Sequence, residues 1–425
     1  MISNIINIYF PIYQKKDMLE RKYIIGGEIV TKKLILFIIG GIFSLIIAMG
    51  FGRFAYTPIL PLMQHDLSFS DAIAGYLATS NYAGYLFGAI LTGAISFKER
   101  RILILRMSLL LNILTTALMG LISSNLLWIV LRFLSGFSSA LVLVLASGLV
   151  LERLASRNKS NWSGVFYGGV GIGVFLSSLI IPCLNDMFFW KGTWMGLAVV
   201  SLILFIFVWK WLEETPQEIK IKKQEISPKV PPTKWLFWLM IAYGLEGLGY
   251  IVTGTFIVSI AQETPSFENN ATIVWMIVGL AAIPSCFLWT LLAQKWGFVK
   301  SLIVAMVLQS IGVVLPVLFI SKVSFVTSAS LFGATFMGIT SLVTTLAQKI
   351  NPSISAKTIG SLTAIYASGQ LIGPSLAGII SSHTKSFDAA LIGASCVIFI
   401  GALFLLTGIK FESKREASES NFFSK

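Results

Sequence analysis

Residues 213–234, EETPQEIKIKKQEISPKVPPTK, form the one long polar interruption inside an otherwise apolar chain of 425 residues. Six apolar stretches precede this segment and six follow it. They run at 34–62, 71–95, 102–122, 126–150, 163–184 and 190–212, then at 235–261, 271–293, 301–320, 324–348, 358–381 and 387–409. Each matches or approaches the roughly 20 residues that a helix needs to cross a hydrocarbon core about 30 Å thick. Inside lipid every backbone N–H and C=O must be satisfied within the segment or within a closed barrel, and runs of this length are helical. The expected fold is an all-α polytopic membrane protein, with twelve transmembrane helices arranged as two six-helix bundles over 34–212 and 235–409. Residues 1–33 then form an N-terminal segment, 213–234 a central loop and 410–425 a polar, disordered tail, all cytoplasmic.

Composition leads the same way. Hydrophobic residues make up 56% of the chain, charged residues 12%, and mean hydropathy is +0.83. Soluble domains carry about 25% charged residues, so no soluble catalytic domain is hidden here. A net charge of +13 would point a soluble chain toward nucleic acid. Here its placement follows membrane topology and leaves no nucleic-acid partner to infer. Most lysines and arginines fall on one side, from Lys15 and Lys16 to Lys410, Lys414 and Arg415, while the opposite loops hold Lys191, Lys322 and Lys385. The positive-inside rule makes the richer side cytoplasmic, with both termini there and the chain multi-pass in a cell membrane, a bacterial inner membrane. Residues 1–33 lack the compact apolar core and small-residue cleavage site of a signal peptide, and Met18 is an alternative start. Cys183, Cys286 and Cys396 fall in three different stretches without metal-type spacing and read as buried, inert thiols. No metal or other cofactor is expected.

The two halves echo one another. Gly50-Phe-Gly52-Arg53 in the first stretch corresponds to Gly247-Leu-Gly249-Tyr250 in the seventh. The polar turn Ser96-Phe-Lys-Glu-Arg-Arg101 matches Ala293-Gln-Lys-Trp-Gly-Phe-Val-Lys300 in position. Tyr167-Gly-Gly-Val-Gly-Ile-Gly173 in the fifth stretch matches Tyr366-Ala-Ser-Gly-Gln-Leu-Ile-Gly-Pro374 in the eleventh. Internal duplication of this kind places a substrate site between the halves, near the bilayer midplane.

Six plus six stretches, a charged central loop and these motif positions resemble the major facilitator superfamily over about residues 34–410. Gly52-Arg-Phe-Ala-Tyr-Thr-Pro-Ile-Leu-Pro-Leu-Met63 is similar to the YbfB/YjiJ-type branch. Arg132-Phe-Leu-Ser-Gly136-Phe-Ser-Ser-Ala140 is similar to the superfamily's Arg-x-x-x-Gly-x-x-x-Ala pattern, whose arginine the resemblance associates with proton-coupled transport. The turn after the second stretch departs from Gly-x-x-x-Asp-Arg: Gly93 is present, but Phe97 and Lys98 stand where Asp and Arg are expected. The fifth stretch lacks the Gly-Pro pair of drug exporters, although Gly369, Gly373 and Pro374 carry that pattern in the eleventh. The resemblance implies a cavity lined by stretches 1, 4, 7 and 10.

Three ionisable side chains lie deep within stretches: Arg53, Arg132 and Glu246. A charge at the bilayer centre costs about 2.5–3.5 kcal/mol on insertion scales, so each needs a cavity or a partner. Arg53 and Arg132 are candidates for substrate binding or coupling. Their structural alternatives are a helix-capping or snorkelling arginine and a brace between helices. Glu246 is the candidate proton carrier, since removal from water favours the neutral acid. Its alternative is a static salt bridge to one of the arginines. Asn81, Tyr82, Tyr167, Tyr243, Tyr250 and Tyr366 are possible cavity lining, with helix packing as the plainer reading of each. Gly168, Gly169, Gly171 and Gly173 read as packing positions, and His65 and His383 as solvated loop residues.

Enzyme chemistry finds no support. There is no Gly-x-x-x-x-Gly-Lys-Ser/Thr, His-Glu-x-x-His or Cys-x-x-Cys, and both histidines lie outside the apolar stretches. The expected function is a monomeric secondary active transporter that moves a small-molecule substrate by alternating access, driven by protons. Two arginines against one carboxylate favour a small organic anion. The alternative is a proton-driven exporter of sugars or drug-like compounds, and the alternatives of a different class are a receptor or a channel.

Overall fold

A computed structural model describes residues 32–95, 100–157, 159, 162–213, 231–265, 267, 270–350 and 355–411. The expectations for residues 1–31, for Phe97 and Lys98, for most of the central loop and for the tail fall outside these residues. Among the described residues every regular element is a helix. In chain order they are α1 (Lys32–Leu67), α2 (Asp71–Ala94), α3 (Arg101–Leu121) and α4 (Asn125–Ser156). The next element, Ser163–Trp211, breaks at Phe189, whose φ of 56° and ψ of −177° are not helical, into α5 (163–188) and α6 (190–211). Then come α7 (Leu236–Gln262), α8 (Thr272–Trp296), α9 (Phe298–Leu318), α10 (Lys322–Ile350), α11 (Ser355–Thr384) and α12 (Asp388–Leu405).

Nine helical elements among the described residues are long and apolar enough to cross a membrane. The fifth and sixth apolar stretches count as one of these because no loop separates them. Helices α2 and α11 fall outside the nine. Both carry polar groups across their length, including Thr79, Ser80 and Asn81 on α2 and Ser368 and Gln370 on α11.

Helix α3 shows the inverted polarity that lipid imposes. Leu103, Met107, Leu110 and Leu114 follow one another at helical spacing on its exposed face. Ser108, Asn112, Thr115 and Thr116 are buried on the other. Apolar faces can be left toward hydrocarbon, whereas polar groups must find partners inside the protein. Cys286 is buried as expected, but Cys183 and Cys396 lie on outward faces. An apolar thiol needs no protein cover there, because the surrounding lipid supplies it.

Contacts repeat with the sequence. Helix α2 packs on α4, α3 on α4 and α6, and α1 on α5 and α6. Adding six to each helix number gives α8 on α10, α9 on α10 and α12, and α7 on α11 and α12, all of which are also observed. The junctions between the bundles obey the same rule: α5 meets α8, and α11 meets α2. Both junctions are lined by glycine. A Cβ on Gly75 would stand 2.4 Å from the Pro374 carbonyl oxygen, and one on Gly378 2.3 Å from that of Asp71. On the other seam, a Cβ on Gly171 would lie 2.6 Å from Ile283 N, and one on Gly279 2.4 Å from Phe175 N. The fifth-stretch glycines divide between two neighbours: Gly164, Gly168 and Gly171 face α8, while Gly169 and Gly173 face α1.

Polar links close the end of the fold where α2 begins. Ser381 Oγ donates to Asp71 Oδ2 at 2.7 Å, and Ala72 N–H donates to Ser382 Oγ at 3.0 Å. Thr79 Oγ1 donates to the Leu371 carbonyl at 2.9 Å, and Thr57 Oγ1 to that of Gly254 at 2.6 Å. All four join α1 or α2 to α7 or α11.

Within the first bundle, Gly136 of the Arg-x-x-x-Gly-x-x-x-Ala pattern lets α4 touch α2, since a Cβ there would stand 1.8 Å from the Asn81 carbonyl oxygen. Gly136→Ala must push the helices apart. We expect a loss of about 1–3 kcal/mol, typical of overpacking, read as a lower melting temperature of the detergent-purified protein. An unchanged melting temperature would show that this contact is not constrained.

Candidate functional site

The site begins with an irregularity in α1. Residues Ile46–Phe54 form a π-helical segment that ends on Arg53 and Phe54. Wider π turns leave carbonyls poorly aligned, and such segments are common at functional sites. Here α4 satisfies them from the side. Ser139 Oγ donates to the Ala48 carbonyl at 2.8 Å, Ser135 Oγ to that of Gly52 at 2.9 Å, and Arg132 Nη1 to that of Gly52 at 3.2 Å. Behind them Asn112 of α3 donates to Ser138 Oγ at 3.0 Å, Ser139 Oγ at 3.1 Å and the Ser135 carbonyl at 3.2 Å. Gly52 permits this approach, because a Cβ there would sit 2.1 Å from Asn112 Oδ1. Glycine at 52 and the serines of α4 thus fix the turn that aims Arg53.

Arg53 is 3% exposed and points across the junction. Its Cζ lies 4.0 Å from the Tyr85 ring centroid, 4.8 Å from Tyr82 and 5.4 Å from Phe54. Nη2 donates to Gln370 Oε1 of α11 at 3.2 Å, while Nε has no hydrogen-bond partner. Among the described residues no carboxylate pairs with it. Cation–π contacts are each worth about 0.5–2 kcal/mol, so the rings offset part of the cost of burial. Gln370 Nε2 donates in turn to the Tyr250 hydroxyl.

Beyond Gln370 the second bundle offers a ladder of nearly parallel rings. Tyr250 stacks on Tyr366 at 5.5 Å and 9°, and Tyr366 on Tyr243 at 4.2 Å and 11°. Phe332 and Phe336 of α10 extend the ladder beside Tyr250 at 6.1 and 6.4 Å. Phe54 of α1 meets its far end through Phe336 at 6.0 Å.

Of the residues singled out in the sequence, Arg53, Tyr82, Tyr243, Tyr250 and Tyr366 come together. Arg132 does not join them as a free cation: it is spent on the Gly52 carbonyl and lies 4.4 Å from the Tyr56 ring centroid. Asn81 donates to the Arg132 carbonyl at 2.9 Å and serves the α2–α4 contact. Tyr167 packs on Phe166 at 5.0 Å and lies near Ser147, Cys286 and Tyr85. Glu246 is fully buried and forms no salt bridge with either arginine; both its carboxyl oxygens lack a hydrogen-bond partner. Gln309 of α9 lies beside it, itself buried with its amide unpartnered. Glu246 follows Tyr243 by three residues and lies near Tyr243, Tyr250 and Tyr366, but its carboxyl is beside Gln309 of α9 rather than against Arg53. His65 and His383 lie exposed in the last turns of α1 and α11 rather than in loops.

Two members of the site escaped the sequence reading. Tyr85 follows Tyr82 by three residues and Gln370 follows Tyr366 by four, spacings that put each on its neighbour's helix face. Arg106 also lies within an apolar stretch, but it caps the end of α6, donating to the Trp209 carbonyl at 2.8 Å.

A polytopic helical protein with a polar site buried where two pseudo-symmetric bundles meet is built as a solute transporter. A family model described as "Uncharacterised MFS-type transporter YbfB" matches residues 45–406, and the chain belongs to this family. It is 25% identical over 391 residues to the uncharacterized MFS-type transporter YceJ of Bacillus subtilis (strain 168), covering 88% of this chain and 97% of that one. It is 24% identical over 369 residues to the sialic acid transporter NanX of Escherichia coli (strain K12), covering 84% and 89%. The crystal structure of the nucleoside transporter NupG shares the fold, with a TM-score of 0.66 at 15% identity over 88% of this chain and 98% of that one. The protein is therefore a membrane transporter and not an enzyme.

The two arginines separate by experiment. Arg132→Gln should destabilise the fold by about 1–3 kcal/mol, the cost of losing a charged hydrogen bond to the Gly52 carbonyl and the contact with the Tyr56 ring. Arg53→Gln should leave the melting temperature nearly unchanged and remove ligand stabilisation. The opposite pattern would exchange their roles.

Proposed function

We propose that the chain is a secondary active transporter that carries a small organic anion by alternating access, with proton coupling through Glu246. The observation that supports the anion is Arg53, a buried guanidinium with no carboxylate partner among the described residues; its Nε–H is vacant, as are those of Arg106 and Arg132, but it is Arg53 whose side chain bonds across to the second bundle. Isolated buried charge is costly, and a substrate anion supplies the missing partner. The sialic acid named for NanX is itself an organic acid, which agrees with this reading.

The moving units are the bundles 34–212 and 235–409, each acting as one body about the site between them, and a monomer suffices because one chain supplies both sides. By the Lys and Arg asymmetry the termini face the cytoplasm of a bacterial inner membrane. The Asp71–Ser381 end then faces outward, and this conformation is closed to the outside. Glu246 supports coupling because it is a fully buried carboxyl that forms no salt bridge with either arginine and lies beside Gln309. Rearrangement of α7 against α9 would expose it for release. A neutral sugar or drug-like solute is the second reading, favoured by the tyrosine rings that already cover Arg53.

A thermal-shift screen of purified protein against metabolites tests the substrate class. Carboxylates should stabilise the wild type and lose that effect in Arg53→Gln. Stabilisation by neutral or cationic compounds alone, indifferent to that change, would defeat the anion reading. In proteoliposomes, Glu246→Gln should abolish proton-driven transport and keep substrate exchange; full gradient-driven transport would confine Glu246 to a structural role. Counterflow in the same vesicles separates a carrier from a channel, because only alternating access gives transient exchange-driven accumulation.

A further inference from the structure

We infer that Gln370 is a place-holder for the substrate, occupying on Arg53 the position of one oxygen of a monocarboxylate with a flat, largely apolar body. The inference rests on the anion reading above and adds the ligand's shape, its charge number and the residue it displaces.

The argument starts from the guanidinium fork. On one edge of an arginine, Nε–H and an Nη2–H point the same way and match the two oxygens of a carboxylate. On Arg53 the two nitrogens of this edge are unequally used. Nη2 holds Gln370 Oε1 at 3.2 Å, and Nε beside it holds nothing although it is buried. A neutral amide oxygen can serve one N–H of the pair, and the geometry leaves the second orphaned. Charge-assisted N–H···O⁻ bonds run at about 2.7–2.9 Å and are roughly twice as strong as neutral ones. The present contact is longer than that, so the amide is a weak occupant. A carboxylate would satisfy both donors and release Gln370.

The placement of the guanidinium groups sets the ligand at one carboxylate. Arg132, also without a carboxylate partner among the described residues, stays inside the first bundle on the Gly52 carbonyl and the Tyr56 ring. Arg53 is the one whose side chain bonds across to the second bundle, and one Nε/Nη2 edge takes one carboxylate. The surroundings set the body. Tyr82 and Tyr85 cover the guanidinium from the first bundle, and Tyr250 and Tyr366 present parallel rings from the second. Tyr366 is stacked between Tyr243 and Tyr250, the Tyr250 hydroxyl is engaged by Gln370 and that of Tyr243 reaches Thr340 Oγ1 at 3.4 Å, so aromatic carbon rather than free polar groups borders Gln370. Flat apolar ligands suit such walls.

Displacement also has a mechanical result. Gln370 is the side chain that ties Arg53 of α1 to α11 and to Tyr250 of α7. A carboxylate that takes its place cuts this tie between the bundles at the moment the site fills.

The test uses the full-length protein in detergent, with sodium benzoate, benzamide, acetate and phosphate as probes and with melting temperature and calorimetric Kd as readouts. Benzoate should stabilise the wild type, while benzamide, its neutral isostere, should not. Gln370→Ala removes the competitor and should tighten benzoate binding by about threefold to tenfold, the equivalent of one weak hydrogen bond. Gln370→Asn, which retracts the amide by one methylene, should shift Kd in the same direction. Gln370→Glu supplies a tethered carboxylate and should raise the melting temperature without ligand while abolishing benzoate binding. Benzoate binding that needs Arg53 but is unchanged or weakened in both Gln370→Ala and Gln370→Asn would overturn the place-holder and leave the anion reading standing. Equal responses to acetate and benzoate would overturn the flat body. Stabilisation by benzamide, with none from any anion, would overturn both readings together.

Discussion

Keeping a guanidinium charged deep in an apolar fold without a carboxylate beside it is the constraint around which this molecule is arranged. Rings of Tyr82, Tyr85 and Phe54 supply part of the compensation, and Gln370 supplies one acceptor. Holding Arg53 among these partners requires the α1 backbone to be fixed to within a fraction of a residue. That is the task of the π segment and of the serines on α4 that complete its hydrogen bonds. Asn112 then fixes the serines, and Gly52 allows Asn112 to approach. The polar core of the first bundle is thus a support for one side chain that faces the second.

The second bundle answers with aromatic rather than charged groups. Tyr250 meets Arg53 through Gln370, and Phe54 meets Phe336 across the junction, so the contact there depends on an amide and on dispersion and quadrupole contacts that tolerate small displacements. A salt bridge across the same gap would be stronger and far less forgiving of geometry. The unpaired carboxyl of Glu246 is kept within the second bundle beside Gln309, where it cannot neutralise Arg53.

Much of this was legible in the sequence, for physical reasons that also explain the failures. Hydropathy is a property of whole stretches, so the helical membrane fold and the place of the polar segment followed directly. Rare buried charges stand out against an apolar background, which is why Arg53, Arg132 and Glu246 were found. Their division of labour was not legible, because it turns on which way each side chain leaves its helix. Arg132 is used by a carbonyl that only the π segment presents, and no residue pattern announces a π turn. Gln370 was overlooked because a lone amide is unremarkable in a helix containing several serines and threonines. Its importance comes from Tyr366 one turn earlier and from Arg53 on a distant helix. The break between α5 and α6 falls where the fifth and sixth apolar stretches part, but its position on Phe189 was not legible, since phenylalanine is not a usual reversal residue.

The glycine-lined junctions at Gly75, Gly378, Gly171 and Gly279 have a consequence for rate. Elsewhere in a packed protein, sliding one helix past another means lifting side chains out of the holes that hold them, and each such step adds roughness to the energy surface. Here backbone lies against backbone over two related strips, with carbonyls and amides rather than knobs at the contact. For the rocking motion proposed above such a surface would serve as a smooth bearing, leaving its speed to the few polar clasps at its ends.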